Sequence, residues 1–406
     1  MSSKTYCSQP FKEIAIKDFN GDKLKTFWPC CMMGNKLTPH DDSNRLGVVD
    51  AHLLTPQEMY DHPRMNQLRE NLSNGIRDSA CAVCWDQEDR GLQSFRQRSD
   101  PITDNNYNLH SIDLTTSNIC NLRCRMCSPS ASHQLMIDHQ YFKNNGLLSK
   151  VNSVIGRWGI SAPLETISSP QWDWLMENTH QITTLKASGG EPFYDNKVIK
   201  LLERYIETGS AKNTTLIFHT NATQFNDKII DLLRHFKKNK HSFSIDGVNK
   251  VYEYIRYPGT FNELETSVKK YIDELNNIDS IMNFTVVLTA HNILNIDDFM
   301  VWAKSISKGV SCKFAEVYTI DRGISIKHLP IHILEEGRRQ AELHLTRHTG
   351  LKDNDIVNLI KQIDYAIIHN AENKEKVKGE CELFDMSRNQ SYKDFLHPML
   401  TEWLDN

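Results

Sequence analysis

The chain has 406 residues, a formal net charge of -4 and a hydrophobic content of 39%. This length is large for one hydrophobic core, so we expect two domains or one domain with a sizeable appendage. The slightly acidic balance does not favour a nucleic-acid partner. No apolar run reaches the roughly 18 residues of a membrane-spanning helix, so we expect no membrane partner. Residues 1–6 contain no apolar signal-peptide core. We therefore expect a cytoplasmic protein, whose ten cysteines are reduced and favour metal ligation over disulfides.

The N-terminal part, residues 1–105, holds five of the ten cysteines, and the polar stretch at 98–106 is typical of a linker. Four thiolates are enough to saturate a 4Fe–4S cluster. The same four could instead form a structural zinc ribbon. The candidate ligands are Cys7, Cys30 or its neighbour Cys31, Cys81 and Cys84. The sequence does not decide between Cys30 and Cys31.

From residue 108 onward, apolar strand-like runs alternate with segments of helical periodicity. Helices are predicted around 198–205 and 229–233, and Asn262 with Glu265 predicts the capping box of another. Six strands are predicted, at 109–115, 182–187, 214–219, 242–245, 284–288 and 312–318. These alternations indicate an α/β fold with a parallel sheet and helices outside it, in which functional groups gather at the carboxyl ends of the strands. Residues 326–406 are predicted to be mostly helical.

Three cysteines follow the first predicted strand directly. Cys120, Cys124 and Cys127 have the spacing C-x3-C-x2-C. Three thiolates this close together suit a soft metal centre. A cuboidal 4Fe–4S cluster has four irons, so three thiolates leave one iron open to a ligand that is not protein. Zinc would need a fourth nearby Cys or His, and the nearest candidate is His133.

This triad resembles that of the radical S-adenosylmethionine (SAM) enzymes. In that family it holds a 4Fe–4S cluster whose open iron chelates SAM, and one electron from the cluster cleaves SAM to a 5′-deoxyadenosyl radical. The resemblance implies that Cys120, Cys124 and Cys127 are the catalytic, metal-binding residues of a partial (β/α)6 TIM-like barrel over residues 106–325. It also implies an electron donor such as flavodoxin or ferredoxin. The residue before the last cysteine is usually aromatic in the family and packs near the adenine. Here it is Met126, which can also pack on a purine.

The second predicted strand ends in Gly189-Gly190-Glu191-Pro192. Two glycines let the backbone approach a ligand closely, and a carboxylate beside exposed amides can hold an ammonium group. The motif resembles the one that contacts the SAM amino group in radical SAM enzymes, which implies that role for Gly189, Gly190 and Glu191. An ordinary turn between strand and helix is the alternative.

The fourth predicted strand ends near Ser244, and Arg256 follows it. A hydroxyl and a guanidinium can bind a carboxylate with charge assistance. They resemble the Ser and Arg that bind the SAM carboxylate in the peptide- and protein-modifying branch of the family. Arg256 could instead be a surface arginine that caps a helix. Asn221, after the third strand, occupies a position that is often polar near SAM in this family.

The N-terminal cysteines resemble the ligands of an auxiliary-cluster domain, the twitch form of the SPASM domain, here placed before the barrel. The resemblance implies a small N-terminal iron–sulfur domain over residues 1–105, with a second, auxiliary 4Fe–4S cluster held by Cys7, Cys30, Cys81 and Cys84. Residues 326–406 would then form a helical C-terminal extension.

These resemblances imply an enzyme that cleaves SAM reductively and abstracts hydrogen from a substrate. Relatives with a second cluster commonly modify peptides or proteins by maturation, oxidation, crosslinking or epimerisation, and the Ser244–Arg256 stretch favours a peptide or protein here. A small carbohydrate or nucleotide substrate is the alternative. A non-catalytic metal-binding scaffold protein is the alternative from another class, and the intact triad argues against it.

Overall fold

The computed structural model describes residues 4–16, 27–30, 51–99, 107–156, 167–275, 280–307, 310–316, 322–346 and 353–406. Within these ranges the chain forms eight strands: β1 Glu13–Ile16, β2 Phe27–Trp28, β3 Ser111–Leu114, β4 Thr184–Ala187, β5 Thr215–Thr220, β6 Lys238–Ser244, β7 Ser280–Leu288 and β8 Ser311–Glu316. Cys31 and most of the expected linker at 98–106 lie outside the described residues.

The same ranges contain sixteen α-helices. Those before β4 are α1 Pro56–Tyr60, α2 Pro63–Ser73, α3 Ala82–Asp89, α4 Phe95–Arg98, α5 Leu135–Asn144, α6 Leu148–Val154 and α7 Ser169–Glu177. The next five are α8 Asn196–Glu207, α9 Asp227–Arg234, α10 Asn249–Ile255, α11 Phe261–Leu275 and α12 Ile296–Ile306. The C-terminal four are α13 Ile331–Thr346, α14 Asp353–Ile368, α15 Lys374–Arg388 and α16 Pro398–Asp405. No helix among the described residues is long and apolar enough to cross a lipid bilayer.

The strands form one sheet in the order β2-β1-β3-β4-β5-β6-β7-β8. Strand β1 pairs antiparallel with β2 and parallel with β3. Parallel pairing also joins β3 to β4, β4 to β5 and β7 to β8. Strands β3–β8, with helices between them, have the succession of a partial (β/α)6 barrel. The α/β fold, the parallel sheet and the helical C-terminal region are thereby confirmed.

The six predicted strands correspond to β3–β8, with ends that differ by a few residues. Helices α8 and α9 confirm the two helices predicted from apolar periodicity. The predicted capping box at Asn262 and Glu265 is wrong, because α11 begins at Phe261. Thr260 and Glu263 form the capping pair instead: the Glu263 N–H donates to Thr260 Oγ1 at 3.3 Å, and that hydroxyl donates to Glu263 Oε2 at 2.7 Å.

Contacts divide the chain into two compact units. The first consists of Met1–Asn118, Pro163–Phe218 and Asp231–Asn239, and the second of Ile119–Ala162, His219–Ile230 and Lys240–Asn406. In the second unit, α5 and α6 share a buried apolar core with α15. Its members are Leu135, Phe142, Val151, Val154, Ile155, Leu383 and Phe384. Cys127 packs against this core, so the triad loop rests on the helices that follow it and on a helix near the C-terminus.

Candidate functional site

The cysteine triad lies in the segment between β3 and α5. Cys120 and Cys124 are buried with Leu122 in a small apolar cluster, and Met126 and Cys127 pack against it. The Leu122 N–H donates to Cys120 Sγ at 3.4 Å, and the Cys127 N–H donates to the Cys124 carbonyl at 3.1 Å. This short segment therefore brings three thiols together and fixes them partly through its own backbone.

The Cys124 and Cys127 thiols interact directly. The hydrogen bond between them, together with burial, raises the pKa of Cys124, and the same hydrogen bond lowers the pKa of Cys127. The guanidinium of Arg256 lowers the pKa of both thiols. Since the thiolate is the form that binds metals, a cation at this position favours ligation.

Arg256 is held beside the triad by the backbone. The Arg123 N–H donates to the Tyr257 carbonyl at 2.8 Å, and the Arg125 N–H donates to the Ile255 carbonyl at 2.9 Å. Arg256 Nη1 then donates to Cys124 Sγ at 3.8 Å. Arg256 is the C-cap residue of α10, but only 6% of it is exposed. The alternative that it is a surface arginine is therefore wrong.

Asp246 holds the other side of the Arg256 guanidinium, a role that the sequence analysis missed. Arg256 donates to Asp246 Oδ2 from Nε at 2.7 Å and from Nη2 at 2.6 Å. The Val287 N–H donates to Asp246 Oδ1 at 2.7 Å. Burial raises the pKa of Asp246, and the Arg256 charge opposes that shift. The sequence position could have indicated this role, because Asp246 comes two residues after Ser244, the last residue of β6.

Asn221 lies directly after β5, beside the first cysteine of the triad. Its Nδ2 donates to Cys120 Sγ at 3.9 Å and to Asn121 Oδ1 at 2.8 Å. Its Oδ1 accepts from the Thr223 N–H at 3.0 Å and from the Thr223 hydroxyl at 2.7 Å. The second unit thus gathers the three cysteines, Asn221 and Arg256 around the same group of sulfur atoms.

The turn after β4 requires its glycines and also uses its glutamate. Gly189 and Gly190 have φ values of +80° and +48°. A Cβ on Gly189 would lie 2.3 Å from Thr115 Cγ2, so only glycine fits where this turn passes the end of β3. Glu191 is 1% exposed, and its Oε1 accepts from the Phe193 N–H at 3.2 Å. The turn therefore has a structural purpose of its own, and the expected contact of Glu191 with SAM stays a prediction.

The four N-terminal cysteines line one cavity in the first unit. Cys7, Cys30, Cys81 and Cys84 lie around one cavity, whose other walls are apolar apart from Arg96. Among the described residues, no group of three or more Cys, His, Asp or Glu is close enough to hold a single metal ion. In a 4Fe–4S cluster each thiolate binds a different iron, so its ligands stand further apart than those of one zinc. The role of these cysteines as ligands stays a prediction.

The residues around this cavity determine whether its thiols can ionise. Burial raises the pKa of the Cys7 thiol to about 12 and that of Cys81 well above its ordinary value. The thiols therefore need a compensating cation before they ionise. Arg96 supplies one positive charge at the wall, where it donates to Glu88 Oε2 at 2.7 Å and to the Tyr6 carbonyl at 2.8 Å. Four thiols, apolar walls and one arginine fit an iron–sulfur cluster, whose irons would supply the remaining positive charge.

Two solved structures are similar to this chain in fold. SuiB of Streptococcus suis, bound to precursor peptide SuiA, matches with 12% identity and a TM-score of 0.38, over 74% of this chain and 54% of SuiB. Native anSMEcpe with bound AdoMet matches with 12% identity and a TM-score of 0.39, over 59% of this chain and 63% of the other. The chain therefore covers less than two thirds of either protein.

Sequence comparison adds two further similarities. The sporulation killing factor maturation protein SkfB of Bacillus subtilis (strain 168) is 25% identical over 179 residues, which are 43% of this chain and 35% of SkfB. The match thus spans about a third of that relative. The model of the Radical SAM superfamily matches residues 114–303, a segment that includes Cys120, Cys124 and Cys127. Residues 114–303 therefore carry the similarity of this chain to the radical SAM superfamily of enzymes.

Proposed function

We propose that this protein cleaves SAM reductively and abstracts a hydrogen atom from a peptide or protein substrate. The observation that carries the proposal is the arrangement around the triad. Cys120, Cys124 and Cys127 lie together, and Asn221 and Arg256 each reach a cysteine sulfur, at 3.9 Å and 3.8 Å. A ligand at the open side of such a group would meet three thiolates, an amide and a buried cation.

The triad cysteines would hold the 4Fe–4S cluster that the family implies. A cluster bound there supplies the electron that cleaves SAM to methionine and a 5′-deoxyadenosyl radical. The residues of the chain bind and orient SAM. We propose that Arg256 and Ser244 bind its carboxylate, that Glu191 with Gly189 and Gly190 binds its amino group, and that Met126 and Asn221 lie near its nucleoside.

The pairing of Arg256 with Asp246 suits this role. Asp246 occupies Nε and Nη2 of the guanidinium, so the side chain cannot rotate freely. Nη1, the nitrogen directed at Cys124, can also donate to a carboxylate oxygen, and a guanidinium binds such an oxygen with charge assistance. Because the arginine is already ordered, little side-chain entropy is lost when SAM binds.

For the N-terminal cavity we propose a second, auxiliary 4Fe–4S cluster held by Cys7, Cys30, Cys81 and Cys84. The proposal is supported by the convergence of four thiols on one apolar cavity with Arg96 at its wall. The alternative is a structural zinc site made from the same thiols, but the absence of a group close enough to hold one metal ion among the described residues does not favour it. We further propose that the chain divides into an auxiliary domain at 1–105, a radical SAM barrel at 106–325 and a helical extension at 326–406.

The proposed substrate class is based on the names of two similar proteins. SkfB is a maturation protein of a sporulation killing factor, and SuiB has been solved with a precursor peptide. We propose a peptide or protein substrate for this chain as well, in preference to a small carbohydrate or nucleotide. We also propose reduction by a flavodoxin or ferredoxin in the cytoplasm, where thiols and clusters remain reduced.

Isotope transfer tests the function and the substrate class together. Anaerobically reconstituted protein is incubated with SAM, dithionite and a fully deuterated synthetic peptide, whose sequence is taken from a short reading frame beside the gene. Hydrogen abstraction from the peptide predicts deuterium in the 5′-deoxyadenosine that forms. 5′-Deoxyadenosine without deuterium, with every such peptide tried, would argue for another substrate class. A protein that binds iron and sulfide but never cleaves SAM would be a scaffold.

A further inference from the structure

Buried arginines connect the triad loop to α15, a helix more than 240 residues further along the chain. Arg125 lies within the triad itself, between Cys124 and Cys127, and its side chain is completely buried. Arg322, before α13, and Arg388, at the end of α15, are 6% and 5% exposed. All of these residues belong to the second unit.

Arg322 binds three consecutive carbonyl groups of the triad loop. Its Nη2 donates to the Arg125 carbonyl at 2.5 Å, and its Nη1 donates to the Met126 carbonyl at 2.8 Å and to the Cys127 carbonyl at 3.4 Å. A guanidinium presents several donors in one rigid plane, which is the geometry that such a contact needs. The side chain therefore fixes the backbone of the third cysteine and of the residue before it.

Glu380 of α15 holds Arg322 in this position. The carboxylate is completely buried, accepts from Arg322 Nη2 at 2.5 Å and accepts from the Ile324 N–H at 3.1 Å. The intervening Gly323 lies directly on the helix, since a Cβ there would be 2.4 Å from the Lys376 carbonyl oxygen. A larger residue at 323 would push the segment off α15. Arg322 thus reaches the triad loop from a support that α15 provides.

The other two arginines bind the same loop to the same helix. Arg125 Nη2 donates to Asp385 Oδ1 at 2.6 Å, and Arg388 Nη2 donates to the Arg123 carbonyl at 2.7 Å. Arg388 is in turn paired with Asp138 of α5 at 3.1 Å. The triad loop is therefore attached to α15 at both ends of its Arg123–Cys127 stretch.

We propose that Arg322, supported by Glu380, is a positioning residue for SAM binding at the triad. It sets the backbone of Met126 and Cys127, so that one thiolate ligand and the residue expected beside the adenine are aligned before SAM arrives. The inference rests on the proposed function, because it concerns a cluster held by Cys120, Cys124 and Cys127. Preorganisation of this kind raises affinity by reducing the ordering that binding requires.

Two variants remove the contact without leaving a buried charge unpaired. Arg322→Lys keeps the positive charge beside Glu380 but replaces the planar group by one ammonium, which cannot reach three carbonyls. The double variant R322Q/E380Q removes both charges, and so avoids the cost of one uncompensated buried ion. The matched control is Glu382→Gln on the same helix, because Glu382 pairs with Lys150 at 3.0 Å where both side chains are 40% exposed.

The measurements are iron and sulfide content, melting temperature, SAM affinity, and the electron paramagnetic resonance spectrum of the reduced triad cluster with and without SAM. We expect Arg322→Lys and R322Q/E380Q to retain the iron content and fold of Glu382→Gln. We expect both to bind SAM about tenfold more weakly, with an altered spectral response to SAM.

Three results would overturn the inference. SAM affinity and spectra equal to those of Glu382→Gln in both variants would show that the contact does not position the site. Failure of Arg322→Lys to fold, or its loss of the triad cluster, would show that the contact serves stability instead. A wild-type protein that binds no SAM at the triad cluster would contradict the proposed function itself. A wild-type protein that binds SAM, with variants that bind it equally well, would contradict only the role of Arg322.

Discussion

Arg256 Nη1 lies 3.8 Å from Cys124 Sγ, while Asp246 binds the opposite side of the same guanidinium. The arginine and the carboxylate are both buried, at 6% and 0% exposure. A fixed cation thus lies beside Cys124, the middle cysteine of the triad. Asp246 binds Nε and Nη2 of the guanidinium and thereby orients Nη1 toward the sulfur. The pair connects the end of β6 to the cysteine loop, which makes it the most informative contact of the candidate site.

We predict that Arg256→Lys weakens SAM binding about tenfold, or about 1.4 kcal/mol. The ammonium keeps a charge for Asp246 but cannot donate to Asp246 and to the SAM carboxylate in one plane. Iron content should not change, because Arg256 is not a ligand. Titration of the reconstituted protein with SAM measures the effect. Arg339→Lys, at an exposed pair with Glu336 on α13, is the matched control. An Arg256→Lys variant with the affinity of that control would remove the carboxylate assignment.

Glu191→Gln should weaken SAM binding by a similar factor. The amide keeps the shape of the side chain and an oxygen that can accept from the Phe193 N–H, so the turn should persist, but the negative charge that faces an ammonium is lost. The control is Glu207→Gln, a 65% exposed side chain at the end of α8. If Glu191→Gln binds SAM as the control does, with iron content intact, then the Gly189–Pro192 segment is only a turn.

Iron content should divide between the two groups of cysteines. We predict two 4Fe–4S clusters in anaerobically reconstituted protein, since seven thiolates separate as three and four. Replacement of Cys120, Cys124 and Cys127 by Ala should leave about half of the iron and sulfide. Cys312→Ala is the matched control, because Cys312 is buried in β8 and lines neither site. Roughly one zinc per chain with no labile sulfide would contradict both cluster assignments.

Stability should fall as the pH decreases below about 6.5, and His241 should account for part of the loss. Burial, with the charge of His219, lowers the pKa of His241 to about 3. The unfolded chain binds a proton at a pKa of about 6.5, so the folded state loses relative stability between pH 6.5 and 3. Between these pKa values the free energy of unfolding falls by up to about 1.4 kcal/mol per pH unit. His241→Leu should show a shallower decline in urea unfolding between pH 7.5 and 5.5, compared with substitution of the exposed His332. Equal slopes would remove His241 as a cause.

The strands of the barrel could be predicted because each contains enough apolar residues to show a pattern. Strands β1 and β2 were not predicted: β2 has only two residues, and both strands depend on pairing within the sheet, β1 with β2 and β3, and β2 with β1. The capping box of α11 was misplaced by two residues because Thr260 and Asn262 both precede a glutamate at the required spacing. Only the hydrogen bonds distinguish the two.

Some residues of the candidate site could likewise be predicted from the sequence, and others could not. Motifs at strand ends identified the triad, Asn221 and Arg256, because such motifs are local in sequence. Arg322 acts on carbonyls that lie 195 to 197 residues earlier, and no local pattern reports a contact of that range. The N-terminal cysteines were grouped by number and resemblance, whereas their meeting at one cavity depends on how Cys7, Cys30 and the beginning of α3 fold together.

Formation of 5′-deoxyadenosine by variants of the triad tests whether the triad is the site of SAM cleavage. Wild type, Cys124→Ala and the Cys312→Ala control are reconstituted anaerobically and mixed with SAM and dithionite, and the product is quantified by liquid chromatography. We predict 5′-deoxyadenosine from wild type and from Cys312→Ala, and none above background from Cys124→Ala, because two thiolates cannot hold the cluster stably. Continued formation of 5′-deoxyadenosine by Cys124→Ala at the rate of the control would contradict this prediction.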